Sequence, residues 1–214
     1  MKRPSTALKV RGLYAITPDT EKTESLVAQV SAAICGGVRM VQYRNKTATP
    51  EMRLAHALAL KSLCGDTGVS LIINDHVELA LAVDADGLHV GSGDTSYDAA
   101  RAALGDDKLI GISCYNQLGL ALAAASRGAD YIAFGSFFPS RVKPGAVHAP
   151  TDLLKEAKRR LEVSIVAIGG ITIDNAPPLI SAGADALAVI SALFSAPDVT
   201  AAARSFTALF EDQR

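Results

Sequence analysis

The chain has 214 residues, of which 49% are hydrophobic, and a formal net charge of −1. That length suits one α/β domain, at the short end for a (β/α)₈ barrel, and the near-neutral balance gives no electrostatic case for a nucleic-acid partner. No apolar run is long enough to cross a membrane, and Met1-Lys2-Arg3 leads into no apolar signal core, so a cytoplasmic protein is expected.

Residues 1–12 read as a polar lead-in. Leu13–Thr17 is the first strand and stops on Pro18-Asp19, and Ser25–Cys35 is an amphipathic helix closed by Gly36-Gly37. Val38–Arg44 is the second strand, followed by a helix over Pro50–Cys64. Leu71–Ile73 is the third strand and ends on Asn74 and Asp75; Val77–Val83 is helical, and Asp84-Ala85-Asp86-Gly87 turns into a fourth strand starting at Leu88. That strand stops on Gly91, and the chain then reaches Asp94. Leu109–Cys114 is the fifth strand, with an alanine-rich helix to Arg127, and Tyr131–Gly135 is the sixth. A long Gly/Pro-containing loop runs to about Pro150. The next helix carries Lys158-Arg159-Arg160 as a solvated face. Ser164–Ile168 and Ala186–Ile190 are the last two strands, and Pro197–Glu211 is the closing helix. Eight strands alternating with eight helices, with no linker, predict one closed TIM barrel over residues 1–214. An open doubly wound sheet is the runner-up, and no early G-x-G-x-x-G supports it. Cys35, Cys64 and Cys114 lack metal-type spacing and are expected to be reduced core residues.

The stretch from Leu71 to Asp94 is a βαβ unit, so its strands are parallel. Asp75 and Asp94 therefore follow neighbouring strands at the C-terminal edge, where such folds bind ligands. Two carboxylates there suit Mg²⁺, which takes one or two carboxylates together with substrate phosphates. Either could instead cap the following helix. A weak repeat sorts the other aspartates: Ala85-Asp86-Gly87, Ala129-Asp130-Tyr131 and Ala184-Asp185-Ala186 each lead from a helix into a strand. That puts Asp86, Asp130 and Asp185 at the opposite rim, in turns that serve stability.

In the second strand a period of two puts Gln42, Arg44 and Lys46 on one face, with Val41 and Tyr43 on the other. The apolar pair suits the helix layer, so the polar set should point into the barrel mouth. Inward cations are costly unless an anion meets them, and a phosphate or pyrophosphate would do so. Gly169-Gly170 after the seventh strand and Ser191 after the eighth lie where such barrels bind phosphate. Ser113 ends the fifth strand on the same rim, and Lys143 sits in a loop, Ser136–Gly145, long enough to fold over the mouth. His89 reads as a core histidine, while His56, His76 and His148 form no ligand cluster. No serine or cysteine has a nucleophile motif.

These residues together resemble the thiamine phosphate synthase family over nearly the whole chain. The resemblance rests on QYRNK at Gln42–Lys46, IND at Ile73–Asp75, ADGLHVGSGD at Ala85–Asp94 and GIS at Gly111–Ser113. It extends to the Lys143 loop, IGGI at Ile168–Ile171 and VIS at Val189–Ser191. It implies condensation of hydroxymethylpyrimidine pyrophosphate with thiazole phosphate, through a pyrimidine-methyl cation, with Mg²⁺ as cofactor. By that likeness Gln42, Arg44, Lys46, Asn74, Ser140 and Lys143 hold the pyrimidine pyrophosphate, and Asp75 and Asp94 hold Mg²⁺. Gly170, Ile190 and Ser191 hold the thiazole phosphate, Ser113 lies near the reacting centre, and Lys143 and Arg44 assist departure of pyrophosphate. The chain departs from the family at Ser92, where glutamine is usual, at Asn45, where glutamate is common, and at Val142, where a threonine is usual; Arg141 precedes it. The implied partners are small molecules, with no nucleic acid or membrane, and a homo-oligomer is left open. Three other readings stand beside this one: a thiazole tautomerase-like paralogue, a Schiff-base aldolase using a lysine, and a non-catalytic barrel that binds thiamine precursors.

Overall fold

The computed structural model describes residues 10–91, 93–139, 145 and 147–211. Ser92, the loop residues Ser140, Arg141, Val142 and Lys143, and residues 1–9 of the lead-in fall outside that set, so the expectations placed on them lie outside the described residues. The strands are β1 (Gly12–Ile16), β2 (Met40–Tyr43), β3 (Ser70–Asn74), β4 (Gly87–Val90), β5 (Leu109–Tyr115), β6 (Tyr131–Phe134), β7 (Ser164–Ile168) and β8 (Ala186–Val189). They close in sequence order, each parallel to its neighbours, because β1 pairs with β2 on one side and with β8 on the other. Closure excludes the open doubly wound sheet. The helices are α1 (Thr23–Cys35), α2 (Pro50–Thr67), α3 (Val77–Ala82), α4 (Tyr97–Leu104), α5 (Leu118–Arg127), α6 (Asp152–Arg160), α7 (Pro177–Ser181), α8 (Ser191–Phe194) and α9 (Val199–Ala208). No helix among the described residues is long and apolar enough to cross a membrane.

Three expectations need correction. The second strand begins at Met40 rather than Val38. The segment after β8 is two helices, a four-residue turn opening on Ser191 and then α9, whose Asp198 caps it by accepting from the Ala201 N–H at 2.9 Å. That makes nine helices among the described residues where eight were expected. Cys35 is exposed, since the last turn of α1 carries it past the packed face; only Cys64 and Cys114 are buried. Burial pushes both of those thiols up to about 12, so they stay protonated.

Strand alternation builds two cores. Leu13, Val41, Tyr43, Leu71, Ile73, Leu88, Ile110, Ile132, Ile165 and Leu187 point outward and pack under the helices. Tyr14, Ile16, Met40, Ile72, Leu109, Tyr131, Ala133, Val166, Ala186 and Ala188 fill the barrel. The three repeated aspartates tie strands at the N-terminal rim. Asp86 accepts from the Leu71 N–H at 2.8 Å, Asp130 from Ile110 at 2.7 Å and Asp185 from Ile165 at 2.9 Å. Each backbone N–H returns the contact to the same residue's carbonyl at 2.8–2.9 Å. Each carboxylate also pairs with a cation from a helix: Lys61 at 3.0 Å, Arg101 at 2.6 Å and Lys158 at 2.6 Å respectively.

Gly111 holds a position in the barrel interior that a larger residue cannot fill without displacing its neighbour. The Tyr131 ring lies across Gly111 of the neighbouring strand, and a Cβ there would sit 2.0–2.4 Å from three ring atoms. Gly111→Ala must therefore displace a ring that is 0% exposed. We expect it to lose about 1–3 kcal/mol, the usual range for an overpacked core, read as a lowered urea midpoint with an unchanged slope. An unchanged midpoint would mean the ring has room to move.

Candidate active site

A cavity of about 1040 Å³ opens at the C-terminal ends of the strands. Gln42, Arg44, Lys46, Asn74, Asp75, Asp94, Ser113, Gly170, Ile190 and Ser191 all line it. Ten residues spread over 150 positions of sequence thus meet in one space, because all eight parallel strands end on this rim. Pro139 and Gly145, which flank the loop carrying Ser140 and Lys143, line it as well. Ile16, Ala133, Val166, Ile168 and Ala188 give the cavity an apolar floor on the β6–β8 side.

The cations of β2 are held by the end of β1. The Thr17 hydroxyl, fully buried, accepts from the Arg44 N–H at 2.9 Å and donates to the Arg44 carbonyl at 3.0 Å. Asp19 accepts from the Lys46 N–H at 2.9 Å and faces the Arg44 guanidinium at 3.6 Å. The Lys46 ammonium lies 3.8 Å from Asp75 and is 59% exposed. A Schiff-base amine needs desolvation, so Lys46 does not meet the aldolase requirement. Asn45, where a glutamate was the family expectation, is buried and clamps its own loop. Its amide donates to the Thr20 carbonyl at 2.6 Å, and its oxygen accepts from the Thr47 and Ala48 N–H groups at 3.1 and 3.0 Å. A carboxylate could not make the first of these bonds.

Asp75 sits at φ 63° directly after β3, tied by its own N–H to the His89 carbonyl at 2.9 Å. Burial holds its carboxyl above the usual range, and the Asp94 carboxylate facing it pushes the same way; Lys46 and Asn74 oppose both. Asp94 is exposed and accepts from the Gly91 N–H at 2.7 Å. Two carboxylates brought face to face repel unless a cation or a proton intervenes. This donor set fits a hard divalent ion that completes its shell with substrate oxygens and water. Among the described residues no group of three or more His, Cys, Asp or Glu side chains could hold a metal, so an ion here would have the aspartate pair as its protein donors.

On the far wall, Gly169 and Gly170 have φ of 103° and 63°. A Cβ on Gly170 would lie 2.4 Å from the Pro139 carbonyl, so the turn is packed against the β6–α6 loop. Asn175 locks it, donating to the Gly170 carbonyl at 3.0 Å and accepting from the Thr172 N–H at 2.8 Å.

Beneath these groups the barrel throat is polar. Gln42 Nε2 lies 2.8 Å from Tyr14 Oη, which lies 2.8 Å from Tyr131 Oη. Tyr131 Oη is 3.1 Å from His89 Nδ1, and His89 Nε2 is 2.9 Å from Ser113 Oγ. His89 is therefore a wall residue of the cavity as well as a buried one. Tyr14, Tyr131, Thr17 and Asp19 had no part in the site read from the sequence. Both tyrosines sit in strands whose alternation is apolar, and only the inward parity of positions 14 and 131 could have flagged them.

The sequence profile of the thiamine monophosphate synthase family matches residues 13–193. A thiamine-phosphate synthase of Nitrosomonas eutropha is 53% identical over 207 residues, covering 97% of this chain and 98% of the relative. One from Methylobacillus flagellatus is 55% identical over 201 residues, covering 94% and 96%. A thiamine phosphate pyrophosphorylase from Pyrococcus furiosus, solved as a structure, superimposes with a TM-score of 0.84 at 34% identity, over 94% of this chain and 96% of that one.

Burial pushes the His89 imidazole from 6.5 down to about 4. The unfolded chain thus takes up a proton that the native state refuses, and stability rises with pH between those two values and is flat above them. The shift corresponds to about 3 kcal/mol lost as the pH falls through that window. We expect the urea midpoint of the wild type to fall more steeply on acidification than that of His89→Gln. The difference between the two isolates His89 from Asp75, whose raised pKa acts in the opposite sense. Parallel midpoints would mean that His89 protonates freely in the folded state.

Proposed function

Because the chain belongs to the thiamine monophosphate synthase family, we propose that it joins hydroxymethylpyrimidine pyrophosphate to thiazole phosphate, releasing thiamine phosphate and pyrophosphate. The observation that carries this reading is the layout of the cavity at the C-terminal rim. Arg44, Lys46 and the aspartate pair line its β2–β4 side, the Gly169-Gly170 turn and Ser191 line its β7–β8 side, and apolar residues of β1 and β6–β8 line the same space. Such a space suits two phosphorylated substrates whose rings meet in the middle.

In this reading Arg44 and Lys46 draw the pyrophosphate to the β2 side, with Asn74 beside them. Ser140 and Lys143 add contacts from the loop. Asp75 and Asp94 hold Mg²⁺, which when bound neutralises charge on the departing pyrophosphate. Gly170, Ile190 and Ser191 seat the thiazole phosphate, so that the thiazole nitrogen faces the pyrimidine methylene. The bond from that methylene to the pyrophosphate oxygen breaks first. The pyrimidine-methyl cation is then captured by the thiazole nitrogen, whose lone pair forms the new bond. No protein nucleophile is needed, and Ser113 serves as a polar contact near the reacting centre.

The deciding assay is pyrophosphate release with both substrates present. A non-catalytic binder would hold both without release, and a tautomerase-like paralogue would act on the thiazole alone. Chelation with EDTA should abolish release and Mg²⁺ should restore it, with Asp94→Asn raising the Mg²⁺ requirement; full turnover in EDTA would remove the metal from the scheme.

Arg44→Ala should weaken the pyrimidine pyrophosphate by at least ~2 kcal/mol, since charge-assisted bonds to a shielded anion are lost. Thiazole phosphate affinity should barely move. Calorimetry with each ligand separately checks this, and equal losses would assign Arg44 to the fold.

A further inference from the structure

The five side chains in the barrel throat form a line that ends at the cavity, and hydrogen counting gives that line a direction. An amide nitrogen carries hydrogens and cannot accept. Gln42 Nε2 therefore donates to Tyr14 Oη. Tyr14 has a single hydroxyl hydrogen, and among the described residues its remaining partner is Tyr131 Oη. Tyr14 is 2% exposed and Tyr131 0%, and although Tyr14 also lines the cavity, a hydroxyl hydrogen turned away from the line would forgo a bond to a buried partner. The Tyr14 hydrogen goes to Tyr131, and the Tyr131 hydrogen goes on to His89 Nδ1. A neutral imidazole bears one N–H. With Nδ1 accepting, that hydrogen is on Nε2 and is donated to Ser113 Oγ. His89 is the one partner of Ser113 Oγ among the described residues, so the serine's own hydrogen is left for the cavity that Ser113 lines.

We infer that this line is a one-way donor chain that holds His89 as its Nε2–H tautomer and turns the Ser113 hydrogen toward an acceptor atom of the pyrimidine substrate. The identity of the substrate rests on the proposed function; the direction of the chain does not. A serine hydroxyl ordinarily rotates to suit whatever faces it. Here one lone pair is already occupied by a buried donor, so the hydrogen is turned away from His89 and toward the ligand. That arrangement favours a ligand atom with a lone pair, such as a ring nitrogen or the oxygen that departs with pyrophosphate. His89, Tyr131 and Tyr14 then act as positioning residues, since none needs to touch the reacting atoms.

The reverse order is also self-consistent along most of its length, which makes the test sharp. If Ser113 donated to Nε2, then His89 Nδ1–H would donate to Tyr131 and Tyr131 to Tyr14. Tyr14 would then accept from both Gln42 and Tyr131, and its own hydrogen would have no protein partner among the described residues. Both ring nitrogens of His89 face hydroxyl groups, one of which must donate and one accept in a neutral ring, so the two tautomers are the alternatives the test separates.

The experiment is long-range ¹H–¹⁵N NMR on histidine-labelled, substrate-free protein near neutral pH, with the His89 signals assigned by their loss in His89→Gln. The expected result is a protonated Nε2 and a bare Nδ1. A protonated Nδ1 would overturn the inference. Tyr131→Phe keeps the ring over Gly111 but removes the donor to Nδ1. It should shift the tautomer population, and an unshifted spectrum would likewise overturn the chain. In steady-state kinetics Tyr131→Phe should cost about tenfold in kcat/KM for the pyrimidine substrate, the value of one well-placed hydrogen bond. A loss confined to KM assigns the acceptor to the ring, and a loss confined to kcat assigns it to the departing oxygen. His89→Gln places an amide donor within reach of Ser113 and should retain more activity than His89→Leu; equal values for the two would count against a donor role. The NMR arm needs no substrate. Should it succeed while no pyrophosphate is released, the proposed function fails and the donor chain stands.

Discussion

Polar groups inside a closed barrel must find partners there, because water is excluded and an unmet donor or acceptor costs stability. That constraint organises the centre of this molecule. Gln42, Tyr14, Tyr131, His89 and Ser113 come from five strands, and each spends its capacity on the next. The linked residues come from β1, β2, β4, β5 and β6, while Ala133 of β6 and Ala186 and Ala188 of β8 are small and leave space in the throat. The large polar side chains are tied to one another by hydrogen bonds, so they do not fill that space. Gly111 belongs to the same arrangement, since only its missing Cβ lets the Tyr131 ring lie flat enough for its hydroxyl to reach both Tyr14 and His89.

Aspartate is used in two opposite ways at the two rims. At the N-terminal rim Asp86, Asp130 and Asp185 each take a strand N–H and a helix cation, so the charge is met on two sides and the strand ends are tied down. At the C-terminal rim burial raises the Asp75 pKa and the facing Asp94 carboxylate adds to it, with Lys46 opposing both. The residue type is the same, and the neighbours decide whether its charge is met or left strained. Such perturbed carboxylates are typical of sites that bind something.

Much of this was legible in the sequence, for a physical reason. The βαβ reading of Leu71 to Asp94 depends only on local pattern, and parallel pairing then places Asp75 and Asp94 on one edge without further information. The alternation in VQYRNK puts Gln42 on the cavity side and Tyr43 against α2 in the same way. What could not be read was whatever depends on contacts between distant strands. Tyr14 and Tyr131 meet across 117 positions, and nothing in either strand alone predicts it. His89 was recognisable as buried but not as a link, because its role is set by what lies 3 Å from each ring nitrogen. Thr17 looked like the last residue of a strand and Asp19 like its stop, and both proved to hold the β2–α2 loop. The turn over Ser191–Phe194 went unread, since four residues carry too little periodicity to register.

The ion pairs at the two rims differ in length, and the difference follows their use. The N-terminal pairs are 2.6–3.0 Å long, within the range of charge-assisted hydrogen bonds. Arg44 to Asp19 is 3.6 Å and Lys46 to Asp75 is 3.8 Å, too long for such a bond. Loose, partly exposed pairs contribute on the order of 0–1 kcal/mol, so little is lost when either cation turns to another anion. The carboxylates nevertheless keep both cations near the mouth, where an incoming pyrophosphate would meet them already oriented. Arg44 is further restrained through its backbone by Thr17, which leaves only its side-chain torsions to order on binding. A tight resting pair would have to be broken first, and the loss would be subtracted from substrate affinity. The geometry at the mouth avoids that cost while still placing a carboxylate beside each cation.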